Sequence, residues 1–272
     1  MKEIALKDIA GLAALAEPQY VKAGGPLLPT GVAVLEVREA GQLWRVETPS
    51  AQQLWWKRYT VPGWKQPLSL LQRSRSRRES RGLILLRQRK LPAPRVCACV
   101  EWRRGLLVRE SALITHGILH AIPLNHFLRA EPDPQRRARA CASVGALAAQ
   151  LHQAGIGHFR FLAKNILVLP EDPSQSWILD APYLCAWSNP TPTAVRRFDL
   201  ASICSQAGEL ELEHSAQIIA AYSRITGENW RPETLARASR MNLKLRRISL
   251  YLGSIWTGHR ADRFLHRTQE SA

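Results

Sequence analysis

Long apolar runs, acidic residues and cysteines are all scarce in this sequence. No stretch reaches the roughly 18 apolar residues that predict a transmembrane helix. The first ten residues mix charged and apolar types, so they do not read as a signal peptide. The five cysteines are odd in number and scattered, which argues against a disulfide framework. We therefore expect a cytoplasmic protein whose cysteines are buried as small hydrophobic residues.

The shortage of acidic residues leaves a large positive charge. The chain has 38 Lys and Arg against 22 Asp and Glu, a formal net charge of +16. Such a charge predicts a polyanionic neighbour, namely nucleic acid, an anionic membrane face or a phosphorylated substrate. A basic surface that serves only solubility is the alternative. The 272 residues, 46% of them hydrophobic, are enough for one large domain or two lobes.

The first half of the chain predicts strands and a single helix. Alternating apolar residues indicate an antiparallel meander of three strands at residues 32–37, 43–46 and 54–59. A helix rich in arginine follows over residues 68–90 and ends before Pro92. Two further strands are predicted at residues 95–100 and 105–114. Residues 1–30 predict a short helix and then a connector rich in Gly and Pro.

The second half predicts mainly helices around a short hairpin. An Ala-rich helix is expected over residues 134–153, and later helices over residues 194–206, 209–225 and 232–252. The predicted fold class is α+β, with a small antiparallel sheet lobe that contains one helix and a larger, mainly helical lobe. The predicted boundaries are an N-terminal extension at 1–30, the sheet lobe at 31–114, the helical lobe at 115–258 and a basic tail at 259–272.

One segment between these helices carries a recognisable spacing. His158 is followed seven residues later by Asn165 and an apolar strand, and Asp180 closes a second apolar run fifteen residues beyond Asn165. This layout is typical of the catalytic loop and the metal-binding acid of a kinase-like phosphotransferase. The position of the catalytic Asp is occupied by Arg160, and an arginine cannot accept a hydroxyl proton. Asn165 as a simple turn cap is the alternative interpretation.

Residues on the nucleotide side of a kinase also have counterparts. Lys57 follows an apolar strand, as does the lysine that contacts nucleotide phosphates and pairs with a glutamate on the next helix. Glu79 is the only acid of the predicted basic helix, so it is either that partner or a solvated charge among arginines. The glycine-rich loop is reduced to Gly41 between the first two meander strands, which predicts a weak grip on phosphate.

Several residues keep two interpretations at this point. His158 is expected to support the loop rather than to titrate in catalysis. Asp199 opens a predicted helix, where it is either an N-cap or the acid that holds the backbone of the catalytic loop. The arginine-rich helix and the nine tryptophans also suit nucleic acid, but most tryptophans lie in apolar runs, where core packing is the default. We therefore expect these tryptophans in the core, and a nucleic-acid-binding protein is the third functional hypothesis.

Together these residues resemble the lipopolysaccharide core kinases, which phosphorylate heptose or Kdo sugars in Gram-negative bacteria and have a protein-kinase-like, two-lobe fold. The resemblance covers roughly residues 55–205. It is carried by Trp56-Lys57-Arg58-Tyr59, Arg77-Arg78-Glu79, Leu91-Pro-Ala-Pro94, Leu151-His152, Gly155-Ile156, His158, Asn165-Ile-Leu, Leu179-Asp180 and Arg197-Phe-Asp199-Leu-Ala201.

The resemblance implies cofactors, partners and a location. ATP would lie at Lys57, Glu79 and Gly41, and Mg²⁺ at Asn165 and Asp180. The acceptor would be lipopolysaccharide core or another anionic glycolipid, at the inner face of the cytoplasmic membrane. An anionic membrane surface and a partner kinase or assembly enzyme are the further partners that it implies.

Arg160 divides the functional hypotheses. The first is a catalytically impaired kinase homologue that binds a substrate or partner, and the second is an active sugar kinase that uses another proton acceptor or none. Because the transition state of phosphoryl transfer is loose, loss of the base alone need not abolish transfer. Arg160 could pair with Asp180 and displace magnesium, or it could hold a phosphate. Whether the chain is an enzyme stays open from the sequence.

Overall fold

The computed structural model describes residues 19–23, 33–38, 43–48, 51–187, 189–204 and 210–235. The chain divides into two compact units. The first contains residues 1–84 and 94–119, and the second contains residues 85–93 and 120–272. The predicted helix beyond residue 235 and the predicted basic tail lie outside the described residues.

The first unit is built on one six-stranded sheet with the strand order β1-β5-β6-β4-β3-β2. Its strands are β1 (Gln19–Ala23), β2 (Ala33–Arg38), β3 (Leu43–Glu47), β4 (Gln53–Thr60), β5 (Val96–Arg104) and β6 (Leu107–His116). The predicted meander β2-β3-β4 is present and antiparallel. The sheet is not wholly antiparallel, however, because the edge strand β1 pairs parallel to β5 within the predicted N-terminal extension.

Alternation along β4 separates the two faces of the sheet. Leu54 and Trp56 are fully buried and pack with Trp44, Val46 and Ile114 in the sheet's hydrophobic core. Successive side chains of a strand point to opposite faces, so Lys57 and Tyr59 lie on the other face. That is the face on which the helix of this unit makes its polar contacts.

This helix, α1 (Arg75–Gln88), begins later than the sequence predicted. A 3₁₀ segment, Gly63–Leu70, takes up the first part of the predicted range and has Pro67 inside it. The hydroxyl of Ser74 then accepts a hydrogen bond from the backbone N–H of Arg77 at 3.3 Å, the contact of an N-cap residue. The helix therefore starts after its cap, and its last turn belongs to the second unit.

The second unit is mainly helical, as predicted. It contains α2 (Leu124–Ala130), α3 (Pro134–Gln153), α4 (Thr193–Cys204) and α5 (Leu212–Thr226). Its short strands are β7 (Ile122–Pro123), β8 (Ile156–Gly157), β9 (Ile166–Val168), β10 (Ser176–Ile178) and β11 (Cys185–Ala186). Strands β10, β9 and β7 form one antiparallel sheet, and β11 pairs with β8. The predicted α+β class is confirmed.

The long helix α3 has the bounds that the sequence predicted. Asp133 caps it by accepting a hydrogen bond from the N–H of Gln135 at 2.8 Å, and Pro134 occupies the first turn. Helix α5 packs closely against α3 at Gly145, where a Cβ atom would stand 2.3 Å from the carbonyl oxygen of Ile218. Any side chain at Gly145 would force the two helices apart.

The cysteines are free, and four of the five are buried. Burial raises the pKa of the Cys99 thiol to about 12, which makes it unreactive at neutral pH. This agrees with the predicted role of the cysteines as small core residues. Among the described helices, none has the length and apolarity needed to cross a membrane.

Candidate functional site

The predicted pair of Lys57 and Glu79 is present in the first unit. The Nζ atom of Lys57 lies 2.7 Å from Oε1 of Glu79, whose side chain is fully buried. The other carboxylate oxygen accepts a hydrogen bond from the hydroxyl of Tyr59 at 2.5 Å. The alternative of a solvated Glu79 is therefore wrong. Tyr59 was missed as a partner, although its place two residues after Lys57 puts it on the same face of β4.

The pair can position a cation at a phosphate group. Lys57 keeps 24% of its side chain exposed, while Glu79 has none of its side chain exposed. The buried carboxylate of Glu79 thus fixes the ammonium group of Lys57, while part of the lysine side chain stays exposed to solvent. Gly41, the single glycine predicted to approach the nucleotide, lies outside the described residues.

Asp199 organises the loop of the second unit. It is the seventh residue of α4 and is fully buried, so the N-cap interpretation is wrong. One carboxylate oxygen accepts the backbone N–H of His158 and the other that of Phe159, both at 2.7 Å. The carboxylate therefore holds two consecutive backbone N–H groups immediately before Arg160. Asp199 is the loop-supporting acid that the sequence offered as an alternative.

Two histidines complete this frame. His152 reaches Oδ2 of Asp199 through Nε2 at 3.4 Å and the hydroxyl of Tyr222 through Nδ1 at 3.0 Å. His158 is 1% exposed, and its Nε2 lies 3.2 Å from the carbonyl oxygen of Leu179. Burial lowers the pKa of His158, against the raising effect of Asp199 and Asp180. A neutral, buried ring is suited to support, as predicted for His158. The partnership with Tyr222 had no signal in the sequence, because Tyr222 comes 70 residues later.

The guanidinium of Arg160 contacts the acid that was predicted to bind metal. Its Nη1 atom lies 3.2 Å from Oδ2 of Asp180, and the guanidinium carbon lies 5.9 Å from the ring centroid of Tyr183. The side chains of Arg160 and Asp180 are 22% and 13% exposed. The structure contains the pairing between Arg160 and Asp180 that the sequence raised as one alternative.

Asn165 also belongs to this loop. Its side-chain Nδ2 atom donates a hydrogen bond to the backbone carbonyl oxygen of Arg160 at 3.0 Å. Its backbone carbonyl oxygen accepts a hydrogen bond from the backbone N–H of Leu179 at 2.8 Å. The first bond closes the loop from Arg160 to Asn165, and the second ties that loop to the segment that ends in Asp180. Asn165 is thus more than a turn cap, because it joins the two predicted metal-binding segments.

The backbone is unusual at both ends of this arrangement. Phe159 and Asp180 have φ angles of 61° and 50°, in the left-handed region that residues with side chains seldom adopt. Asp199 stabilises the first of them by binding the N–H of Phe159. Backbone held in such conformations is often found at functional sites.

These contacts define what the loop can do chemically. Between β8 and β9 there is no acidic residue, so no carboxylate stands ready on this loop to accept a proton. Arg160 supplies a cation there, which can bind an anion such as phosphate. Asn165 and Asp180 offer amide and carboxylate oxygens of the kind that Mg²⁺ prefers. With Arg160 at Asp180, however, a divalent cation would have to compete with the guanidinium for that carboxylate.

Comparison with known proteins gives a family and similar solved structures. The family model described as "Lipopolysaccharide kinase (Kdo/WaaP) family" matches residues 33–181, more than half of the chain. A structure described as "WaaP in complex with acyl carrier protein" is similar, with 18% identity, 94% of this chain and 92% of that chain covered, and a TM-score of 0.46. No curated protein matches the sequence.

Proposed function

The chain belongs to the lipopolysaccharide kinase (Kdo/WaaP) family, and from this premise we propose that it is a kinase-like protein of lipopolysaccharide core assembly whose phosphoryl transfer is impaired. It acts by binding an anionic glycolipid or a partner enzyme, such as an active kinase. The contact between Arg160 and Asp180, 3.2 Å long, is the observation that carries this proposal.

The first support is the loss of a proton acceptor. Arg160 stands where the family resemblance places the catalytic Asp, and a guanidinium offers hydrogen-bond donors but no acceptor. A general base typically contributes about 10²- to 10⁴-fold to rate. Its absence alone would slow transfer without forbidding it, because phosphoryl transfer depends mainly on positioning and on charge stabilisation.

The second support concerns magnesium. In a kinase the metal ion supplies the charge that stabilises the transferring phosphoryl group. Asn165 and Asp180 would be its protein ligands, but the carboxylate of Asp180 is engaged by a guanidinium. Asn165 and Asp180 therefore carry the oxygen atoms that Mg²⁺ prefers, but the contact of Asp180 with Arg160 does not fit a bound metal ion. The guanidinium of Arg160, which is covalently part of the chain, would therefore occupy the position of the magnesium ion that accompanies ATP.

The experiment is a transfer assay with ATP and isolated lipopolysaccharide core acceptors that carry heptose or Kdo. We expect the wild type to stay near background and Arg160→Asp to gain activity, since this change removes the guanidinium and supplies a carboxylate. Arg160→Gln is the matched control, because it breaks the ion pair without adding a base. Robust transfer by the wild type that Asp180→Ala abolishes would overturn the proposal.

An active sugar kinase is the second candidate, and one observation favours it. The Lys57–Glu79 pair supports this candidate, because its carboxylate is fully buried and its lysine side chain is 24% exposed. Because apolar residues of similar volume can replace a buried ion pair at little cost in stability, stability alone does not account for this pair. Under this alternative the wild type binds Mg·ATP, and Lys57→Ala weakens that binding. Failure to bind any nucleotide would remove this candidate.

A further inference from the structure

We propose that the 3₁₀ segment and the adjoining β5–β6 turn form a surface that binds an anionic lipid membrane. The surface, here called the apolar patch, consists of Trp64, Leu70, Leu71 and Leu106. All four belong to the first unit. Their side chains are 74%, 58%, 71% and 74% exposed, and they are half of the eight large hydrophobic residues that stand out as exposed in the described chain.

The 3₁₀ segment presents its apolar side to solvent. Residues three apart share one face of a 3₁₀ helix. Trp64, Pro67 and Leu70 have this spacing and are all exposed, whereas Gln66 and Ser69 are half-buried. No residue of the segment is buried. This is the reverse of an ordinary surface helix, which turns its apolar stripe inward.

The 3₁₀ segment is hydrogen-bonded to strand β6. The hydroxyl of Ser69 accepts a hydrogen bond from the backbone N–H of Val108 at 3.0 Å, and Val108 is fully buried in β6. This bond brings Leu70 beside the turn that carries Leu106. The hydroxyl of Ser69 also donates to the carbonyl oxygen of Gln66, which ties the segment to itself. The exposed side chains therefore belong to a segment that is hydrogen-bonded to the sheet and to itself.

The charges around the patch identify the occupant. No acidic residue occurs between Thr60 and Glu79, and Lys65 is exposed next to Trp64. Arg104 is exposed beside Leu106, and Glu101 and Glu110, which flank the turn, pair with Arg103 and Arg58. Lys65 and Arg104 are exposed and directly precede or follow patch residues or their turn, and this positive charge beside apolar side chains complements an anionic lipid surface.

Trp64 and Lys65 add a feature typical of the membrane interface. The ammonium of Lys65 lies 4.6 Å from the centroid of the Trp64 ring. Tryptophan prefers the headgroup level of a bilayer, and lysine keeps its charge in water while its stem lies along apolar surface.

The test is co-sedimentation of the full chain with vesicles of phosphatidylethanolamine and phosphatidylglycerol, compared with vesicles of phosphatidylcholine alone. We expect binding only to the anionic vesicles, weakened by salt. The double change Trp64→Gln with Leu71→Gln should lower the partition coefficient about tenfold or more, because insertion scales with buried apolar area. Lys65→Glu with Arg104→Glu should abolish the preference for anionic lipid.

Matched controls separate the patch from general hydrophobicity and charge. Leu119→Gln with Leu212→Gln removes two comparably exposed leucines elsewhere, and Arg129→Glu with Arg224→Glu reverses two exposed charges elsewhere. The leucine control should bind as the wild type does, and the charge control should keep the preference for anionic lipid. Absence of wild-type binding to anionic vesicles would overturn the proposal, as would binding that the patch changes leave unaltered.

A second readout reports on Trp64 itself. Lipids with brominated acyl chains quench only a tryptophan that enters the bilayer, so quenching should fall strongly in Trp64→Phe while vesicle binding is retained. Unchanged quenching would place the contact elsewhere. Because vesicle binding needs neither nucleotide nor phosphoryl transfer, failure of this proposal leaves the proposed function standing, and failure of the proposed function leaves this one standing.

Discussion

The two units carry the same kind of contact, a cation against a carboxylate, with opposite consequences. Lys57 and Glu79 in the first unit form a pair in which the carboxylate is fully buried and the lysine side chain is 24% exposed. Arg160 and Asp180 in the second unit form a pair that occupies an acid otherwise suited to magnesium. The scaffold of the second loop is nevertheless intact, because Asp199 holds its backbone. The comparison teaches that a single side chain can change a site while its supporting contacts persist.

The largest effect is expected from removing the acid that supports the loop. Asp199→Ala leaves the N–H groups of His158 and Phe159 buried without their acceptor, and we expect a loss of about 4 kcal/mol in the free energy of unfolding. Urea denaturation followed by circular dichroism measures it. Asp172→Ala, at a carboxylate bonded to Ser174 and Gln175 on the surface, is the control and should cost less than about 1 kcal/mol. Equal losses would show that Asp199 does not hold the loop.

The pair of the first unit should respond nearly as strongly. Lys57→Met strands the buried carboxylate of Glu79 with only Tyr59 to compensate it, and we expect a loss of about 3 kcal/mol. The double change Lys57→Met with Glu79→Gln leaves no buried charge there, so it should recover most of that loss. The same urea experiment measures both. If the double variant is as unstable as the single one, the carboxylate is not what makes Lys57 necessary.

The pH dependence of stability should report on His158. Burial lowers its pKa below the ordinary value of 6.5, so the unfolded chain takes up a proton before the folded chain does. Stability is therefore complete above that value and falls as pH decreases through it, by up to about 1.4 kcal/mol per pH unit. Denaturation midpoints between about pH 7 and pH 5.5 measure the slope. His158→Asn should flatten it, and a slope that persists unchanged would assign the titration to another group.

The sequence predicted most of what local patterns control. The meander, the bounds of α3 and the partnership of Lys57 with Glu79 follow from strand alternation, a capping Asp-Pro pair and a single acid in a basic helix. The late start of α1 was missed because the capping role of Ser74 was overlooked within a polar, arginine-rich run. The edge strand β1 was missed because its five residues have no distinctive pattern.

Side-chain direction in the site could not be read from spacing. Asp199 as a cap and Asp199 as a loop support predict the same sequence, and only the fold brings it to residues 40 and 41 positions earlier. The same holds for Arg160, since spacing placed it in the loop without stating whether it meets Asp180 or points away. The roles of His158, Asn165 and Asp180 in binding magnesium or in catalysis stay predictions.

The most direct measurement is the effect of magnesium on the affinity for ATP. Isothermal titration calorimetry of the wild type and of Arg160→Gln, each with and without magnesium, measures it. If Arg160 occupies Asp180 in place of a metal ion, ATP binding by the wild type is indifferent to magnesium. In Arg160→Gln magnesium should then tighten it about tenfold or more, or about 1.4 kcal/mol, and adding Asp180→Ala should cancel this gain. Magnesium-dependent binding by the wild type that Asp180→Ala removes would contradict the account, as would an Arg160→Gln variant that gains no response to magnesium.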